Sequence, residues 1–273
     1  MNNIELSSIQ VMGYDRAEMG SVVHMEDKIT ILEYDVQIPT KEVLVQSMKN
    51  FCEKEQLQSI LFLSVDILEQ AMASPEYRER IAEFQFMLPG ETNILYMYSN
   101  EMLKKQGMLD GQHCIQLILE YLEAEEKTVF LVGDEIEKIE YFLNYCQEHY
   151  PKLDVVGTFI GDEKMDDENL LNEINVSCPD VILTAIAPQL QENWILSNVA
   201  KLNGRVCIGA DVLVKEVVQQ YVEEMERENY NLLYYSISAM KEKLVKLFQK
   251  RIFQMDYAHY MKQREKYKIR EKG

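Results

Sequence analysis

Short apolar runs alternate with longer segments of helical period from about residue 57 onward, the pattern of an α/β chain with a mostly parallel sheet. The runs predict strands at 59–63, 84–88, 128–132, 154–157, 181–185 and 205–208. Each is short and largely apolar, as strands covered on both faces must be. Between them, a helix over 135–148 is expected to bury Ile136, Ile139, Leu143 and Cys146, with Glu137, Lys138, Glu140 and Glu148 toward water. A second helix, 168–176, repeats the pattern with Leu170, Leu171 and Ile174. Right-handed crossovers make this tract a Rossmann-like layer. Upstream, 28–37 reads as one or two edge strands, Thr40 as the N-cap of a helix running to about Glu55, and Ser74-Pro75 as the opening of another near 77–82. The expected organisation is an α/β domain over 1–214 and a helical appendage over 215–273.

Charge changes this picture at the C-terminal end. The chain of 273 residues has a formal charge of −18, yet residues 241–273 hold eleven Lys/Arg against four Asp/Glu, a net of +7 against −25 for the rest. An acidic body repels phosphate backbones, so nucleic acid is not an expected partner outside the tail. Within 241–255, Leu244, Leu247, Phe248, Ile252 and Met255 form an apolar stripe beside Lys243, Lys246 and Lys250. That stripe suits docking on the chain's own domain, on a partner, or on an anionic membrane surface. No apolar stretch is long enough to span a bilayer, and the polar start MNNIELSSIQ does not read as a secretion signal, so a cytoplasmic location is expected. The five cysteines are scattered and read as small core residues. His24, His113, His149 and His259 have no neighbours at ligand spacing, and no metal site or cofactor is expected.

Parallel α/β sheets bind ligands beyond the C-terminal ends of their strands. Four places there carry candidate chemistry. Ser64 and Asp66 follow the first strand and either contact sugar hydroxyls or cap the next helix. Leu88-Pro89-Gly90-Glu91-Thr92-Asn93 offers Glu91 as a base and Asn93 as a substrate contact. Gly133 permits backbone approach to a phosphate, while Asp134 and Glu135 favour a capping role. The segment Ala187-Pro188-Gln189-Leu190-Gln191-Glu192-Asn193-Trp194 supplies Gln191 and Glu192 for a ribose or sugar, with Trp194 packing inward.

Around the last segment the chain resembles the WecG/TagA/CpsF family of glycosyltransferases. The resemblance rests on Val129-Phe130-Leu131-Val132-Gly133, Tyr150-Pro151-Lys152-Leu153-Asp154-Val155-Val156-Gly157, Pro179-Asp180-Val181-Ile182-Leu183 and Gln191-Glu192-Asn193-Trp194-Ile195, in family order over about 128–209. It implies a Rossmann-like fold and transfer of an N-acetylmannosamine-type sugar from a UDP donor to a lipid-linked acceptor at the inner membrane face. On that basis Gly133, Asp134 and Gln191 face the nucleotide, and Ser64, Asp66, Asn93, Gln191 and Glu192 face the sugars. Glu91 is the base. No metal is implied, and a homo-oligomer stays open. The departures are specific: Gly90 stands where the family pattern Leu-Pro-Asp-Gly has its aspartate, Asp134 replaces a second glycine, and Tyr235 stands near an expected arginine. They make a catalytically inert binding or scaffold subunit of an envelope-polysaccharide system the alternative to a working transferase.

Overall fold

The computed structural model describes residues 28–96, 109–161 and 168–229. Strands β1 (Lys28–Ile31) and β2 (Tyr34–Gln37) come first, then α1 (Lys41–Cys52), β3 (Gln58–Leu63), α2 (Val65–Ala73), α3 (Pro75–Ile81), β4 (Phe86–Pro89) and α4 (Thr92–Tyr96). There follow α5 (Gly111–Ala124), β5 (Thr128–Gly133), α6 (Ile136–His149), β6 (Asp154–Ile160), α7 (Glu168–Ser177), β7 (Val181–Ala185), α8 (Leu190–Asn198), β8 (Val206–Gly209) and α9 (Asp211–Asn229). The six later strands are the six expected from the apolar runs, and they form one all-parallel sheet in the order β4-β3-β8-β7-β5-β6.

Strict alternation within the strands divides the core in two. Phe130 and Val132 of β5, Ile182 of β7 and Cys207 of β8 face a layer containing α2, α3, α7 and α8. Val129 and Leu131, Val181 and Leu183, and Val206 and Ile208 face a layer containing α1, α5, α6 and α9. This is the three-layer arrangement that parallel strands require, because each crossover helix must cover one face. Thr40 caps α1 and Ser74 caps α3, whose Pro75 fills the first helical position. The β1–β2 pair is an antiparallel hairpin with its own two-stranded sheet; it packs beside β4, and Tyr34 donates its hydroxyl to the Arg78 carbonyl at 2.8 Å.

Four expectations are corrected by this packing. Strand β6 is not covered on both faces: it is the last strand of the sheet, and its residues alternate between exposed and half-buried. Ile136 at the start of α6 is 61% exposed, while Phe142 takes the buried place beside Ile139 and Cys146. Lys138, expected in water, is 5% exposed and faces inward. Cys178 is exposed and Cys52 half-buried, so only Cys114, Cys146 and Cys207 are core residues. The expected basic stripe at 241–255 lies outside the described residues. Within them, no helix is long and apolar enough to cross a membrane.

Candidate functional site

The chain leaves β5 through α6 on one face of the sheet and leaves β7 through α8 on the other, so the loops after these neighbouring strands part at a switch point of the sheet, where folds of this kind place their ligand crevice. Gly133 and Asp134 form one lip of it and Ala187–Gln189 the other. The two are joined: Asp134 Oδ2 accepts from the Ala187 N–H at 2.6 Å, and Asp134 Oδ1 lies 2.5 Å from Lys138 Nζ. Lys138 continues to Asp211 Oδ1 at 2.8 Å, and Asp211 Oδ2 pairs with Lys215 at 2.8 Å. Four side chains thus alternate in sign from the crevice to the start of α9. Burial by itself would lower the Lys138 pKa; the carboxylates of Asp211 and Asp134 outweigh it and hold the ammonium above its ordinary value. Gly133 is needed for packing, because a Cβ there would run into the Ile139 side chain.

Gln191 and Glu192 lie beneath the lip, not on it. They are 1% and 0% exposed. Gln191 Oε1 accepts from Thr184 Oγ1 at 3.0 Å and from the Asp211 N–H at 3.3 Å, tying the end of β7 to the start of α9. Its Nε2 donates to Glu192 Oε1 at 3.2 Å. Glu192 Oε2 accepts from Tyr77 Oη at 2.7 Å and from the Gln189 N–H at 2.5 Å. Burial raises the Glu192 pKa, and the hydrogen bonds from Tyr77, Gln191 and Gln189 oppose that rise. Tyr77 is raised as well, by burial first and then by the adjacent carboxylate.

The open part of the site is a cleft of about 340 Å³ beside the ends of β4 and β3, lined by Glu91, Thr92, Asn93, Val212, Lys215, Glu216 and Gln219. One wall follows β4 and the other is the first two turns of α9. Glu91 Oε1 accepts from the Val65 N–H at 3.2 Å, which places its carboxylate against the N-terminus of α2. Ser64 is buried and caps that helix, accepting from the Ile67 N–H at 3.2 Å; Asp66 is exposed on its first turn. Gly90 allows the β4 turn to close: its N–H donates to the Leu63 carbonyl at 2.7 Å, and an added Cβ would stand 2.6 Å from that oxygen and 2.7 Å from Val212 Cγ1. The position aligned with the family's aspartate therefore has no room for a side chain on this backbone.

Of the residues expected at a site, the fold brings Glu91 and Asn93 together in the cleft and Gly133 and Asp134 to the crevice, while Ser64, Gln191 and Glu192 support the walls from inside. Lys138, Asp211, Lys215 and Tyr77 were missed. The spacing of four between Asp134 and Lys138, and again between Asp211 and Lys215, is the signal that could have found three of them. Tyr77 carries no such signal, since it meets Glu192 across 115 residues of chain. Among the described residues, no group of three or more His, Cys, Asp or Glu side chains is placed to hold a metal ion.

A six-stranded parallel sheet covered by helices on both faces, with a cleft at its strand ends, defines an α/β protein of the Rossmann-like class. The model of the glycosyl transferase WecG/TagA/CpsF family matches residues 29–222, which takes in the hairpin, the whole sheet and most of α9, and the chain belongs to that family. Among its relatives are proteins of Staphylococcus aureus strains NCTC 8325, COL and N315 named N-acetylglucosaminyldiphosphoundecaprenol N-acetyl-beta-D-mannosaminyltransferase. Each is 21% identical over 184 residues, 67% of this chain and 72% of the relative.

Proposed function

We propose that this chain transfers an N-acetylmannosamine-type sugar from a UDP donor to N-acetylglucosamine carried on a lipid diphosphate, in the synthesis of a cell-envelope polymer. The observation that carries this reading is the family match across the entire sheet, with a carboxylate, an amide and an ammonium in one cleft at the strand ends. The acceptor hydroxyl attacks the anomeric carbon, its proton passes to Glu91, and UDP leaves with the electron pair of the broken glycosidic bond. Asn93 and exposed Asp66 offer contacts to sugar hydroxyls. Lys215, which lines the cleft and pairs with Asp211 Oδ2 at 2.8 Å, is the cation available there to balance negative charge on a departing diphosphate. The Gly133–Asp134 and Ala187–Gln189 lips frame the nucleotide, with Ser64, Gln191 and Glu192 holding the walls in place. UDP-sugar enters as substrate, and no resident metal or cofactor has a part in this scheme. The basic segment 241–273 faces anionic lipid at the inner side of the cell membrane, where a lipid-linked acceptor would be met.

Calorimetric titration with UDP, followed by UDP release in the presence of a lipid-diphosphate N-acetylglucosamine acceptor, tests the proposal. Glu91→Gln is expected to lower kcat by about a hundredfold while leaving UDP affinity unchanged. No binding at millimolar UDP would overturn the reading. Binding without acceptor-dependent release would leave a scaffold subunit.

A further inference from the structure

Lys138 is a buried lysine that lines no part of the cleft, and only Asp211 separates it from a lysine that does. Two ion pairs spaced four residues apart, Asp134–Lys138 at the start of α6 and Asp211–Lys215 at the start of α9, lie on helices that pack against each other. Lys138 joins the two, reaching Asp134 Oδ1 at 2.5 Å and Asp211 Oδ1 at 2.8 Å. Asp211 is fixed from three sides. Its N–H donates to Gln191 Oε1 at 3.3 Å, its Oδ1 takes Lys138, and its Oδ2 takes Lys215 at 2.8 Å. As the first residue of α9 it also has the helix N-terminus behind its charge. A carboxylate held in this way has no freedom to turn, and Oδ2 is aimed at one point.

Lys215 is different. Its side chain is half-exposed, and a flexible four-carbon stem on a helix surface holds no single position by itself. A pair between two exposed side chains would not hold it either, because water competes for both partners. Here the carboxylate is 4% exposed, so water competes at the ammonium alone. The hold depends on Lys138. The four side chains balance in charge; without Lys138, Asp134 and Asp211 repel each other, and Asp211 takes up a proton or turns from its place. Either event loosens Lys215. Resting on the transferase reading above, we propose that Lys138 is a positioning residue that acts through Asp211, holding its carboxylate so that Oδ2 anchors the Lys215 ammonium on the cleft wall as the cation for a departing diphosphate.

The test compares wild type with Lys138→Met, Lys138→Arg and Lys215→Met, each first shown to be folded by circular dichroism. One measurement needs no ligand: the rate of reductive methylation at Lys215, followed by peptide mass spectrometry. Lys138→Met is expected to speed it about tenfold, and Lys138→Arg, which keeps the charge, by much less. Asp211→Asn keeps the side-chain shape and the backbone bond to Gln191, and is expected to give the same acceleration should Lys138→Met not fold. Unchanged methylation of Lys215 in either variant would overturn the anchor. The other measurement is affinity for inorganic pyrophosphate, expected to fall about tenfold in Lys138→Met. In the Lys215→Met background the same change is expected to have no further effect, because Lys138 acts only through Lys215. An equal loss in that background would show Lys138 acting by its own charge and would overturn the positioning role. If wild type binds neither pyrophosphate nor UDP, the transferase reading fails, while the methylation rates still decide the anchor.

Discussion

Asp134, Lys138 and Asp211 meet at the ends of β5 and β8, and taking away the middle one leaves the half-buried Asp134 and the buried Asp211 without the cation they share. Lys138→Ala is therefore expected to destabilise the chain by about 3 kcal/mol in urea denaturation, well beyond the loss from truncating an exposed lysine. Glu192 sets a different test. Its pKa stands above the ordinary 4.5, mainly through burial, so the folded chain holds this proton more tightly than the unfolded chain does. The stability it contributes is full below pH 4.5 and is lost as pH rises through the folded pKa. Wild-type stability minus that of Glu192→Gln, followed by urea denaturation from pH 4 to 8, should shrink with rising pH; a difference that widens would contradict the burial argument. Residue types at the strand ends were legible in the sequence, but burial was not. Gln191 and Glu192 read as ligand contacts because they are polar, and they are internal because the starts of α8 and α9 close over them.

Local chemistry placed the starts of α1 and α3 but not that of α6, where Glu135 stands at the N-cap without a side-chain cap hydrogen bond and Asp134 turns to Ala187 and Lys138 instead of capping. Thr40 and Ser74 sit at the caps where a hydroxyl before a helical run belongs, and Ser64 proves to be a cap whose alternative was a sugar contact. Periodicity was less sure about which way a helix faces. On α6 the buried stripe is Lys138, Ile139, Phe142 and Cys146; Ile136 is 61% exposed, and two carboxylates draw Lys138 in. The β4 turn gives the prediction at this scale. Gly90→Asp, which restores the family's residue, must displace the Leu63 carbonyl or the Val212 side chain. It is expected to lower stability by about 2 kcal/mol in thermal or urea unfolding and not to raise the rate of UDP release. A variant that is both stable and faster would show that this turn can reopen.

Across the whole molecule the division of charge is the dominant feature, with −25 over residues 1–240 and +7 over 241–273. Co-sedimentation of the full chain with vesicles is expected for anionic lipid, to weaken steeply when salt is raised from 0.05 to about 0.5 M, and to vanish for neutral lipid. Equal binding to neutral vesicles would assign any membrane contact to apolar burial instead. The amino-acid order alone determined the six strands, the caps of α1 and α3, the charge division and the family resemblance, because each is written in neighbouring residues through period, hydroxyl placement and composition. The strand order β4-β3-β8-β7-β5-β6, the exposed position of β6, and the meeting of Tyr77 with Glu192 and of Lys138 with Asp211 were decided only in three dimensions. Those are contacts between segments far apart in the chain, and they follow from which crossover covers which face of the sheet, a choice that no local run of residues records.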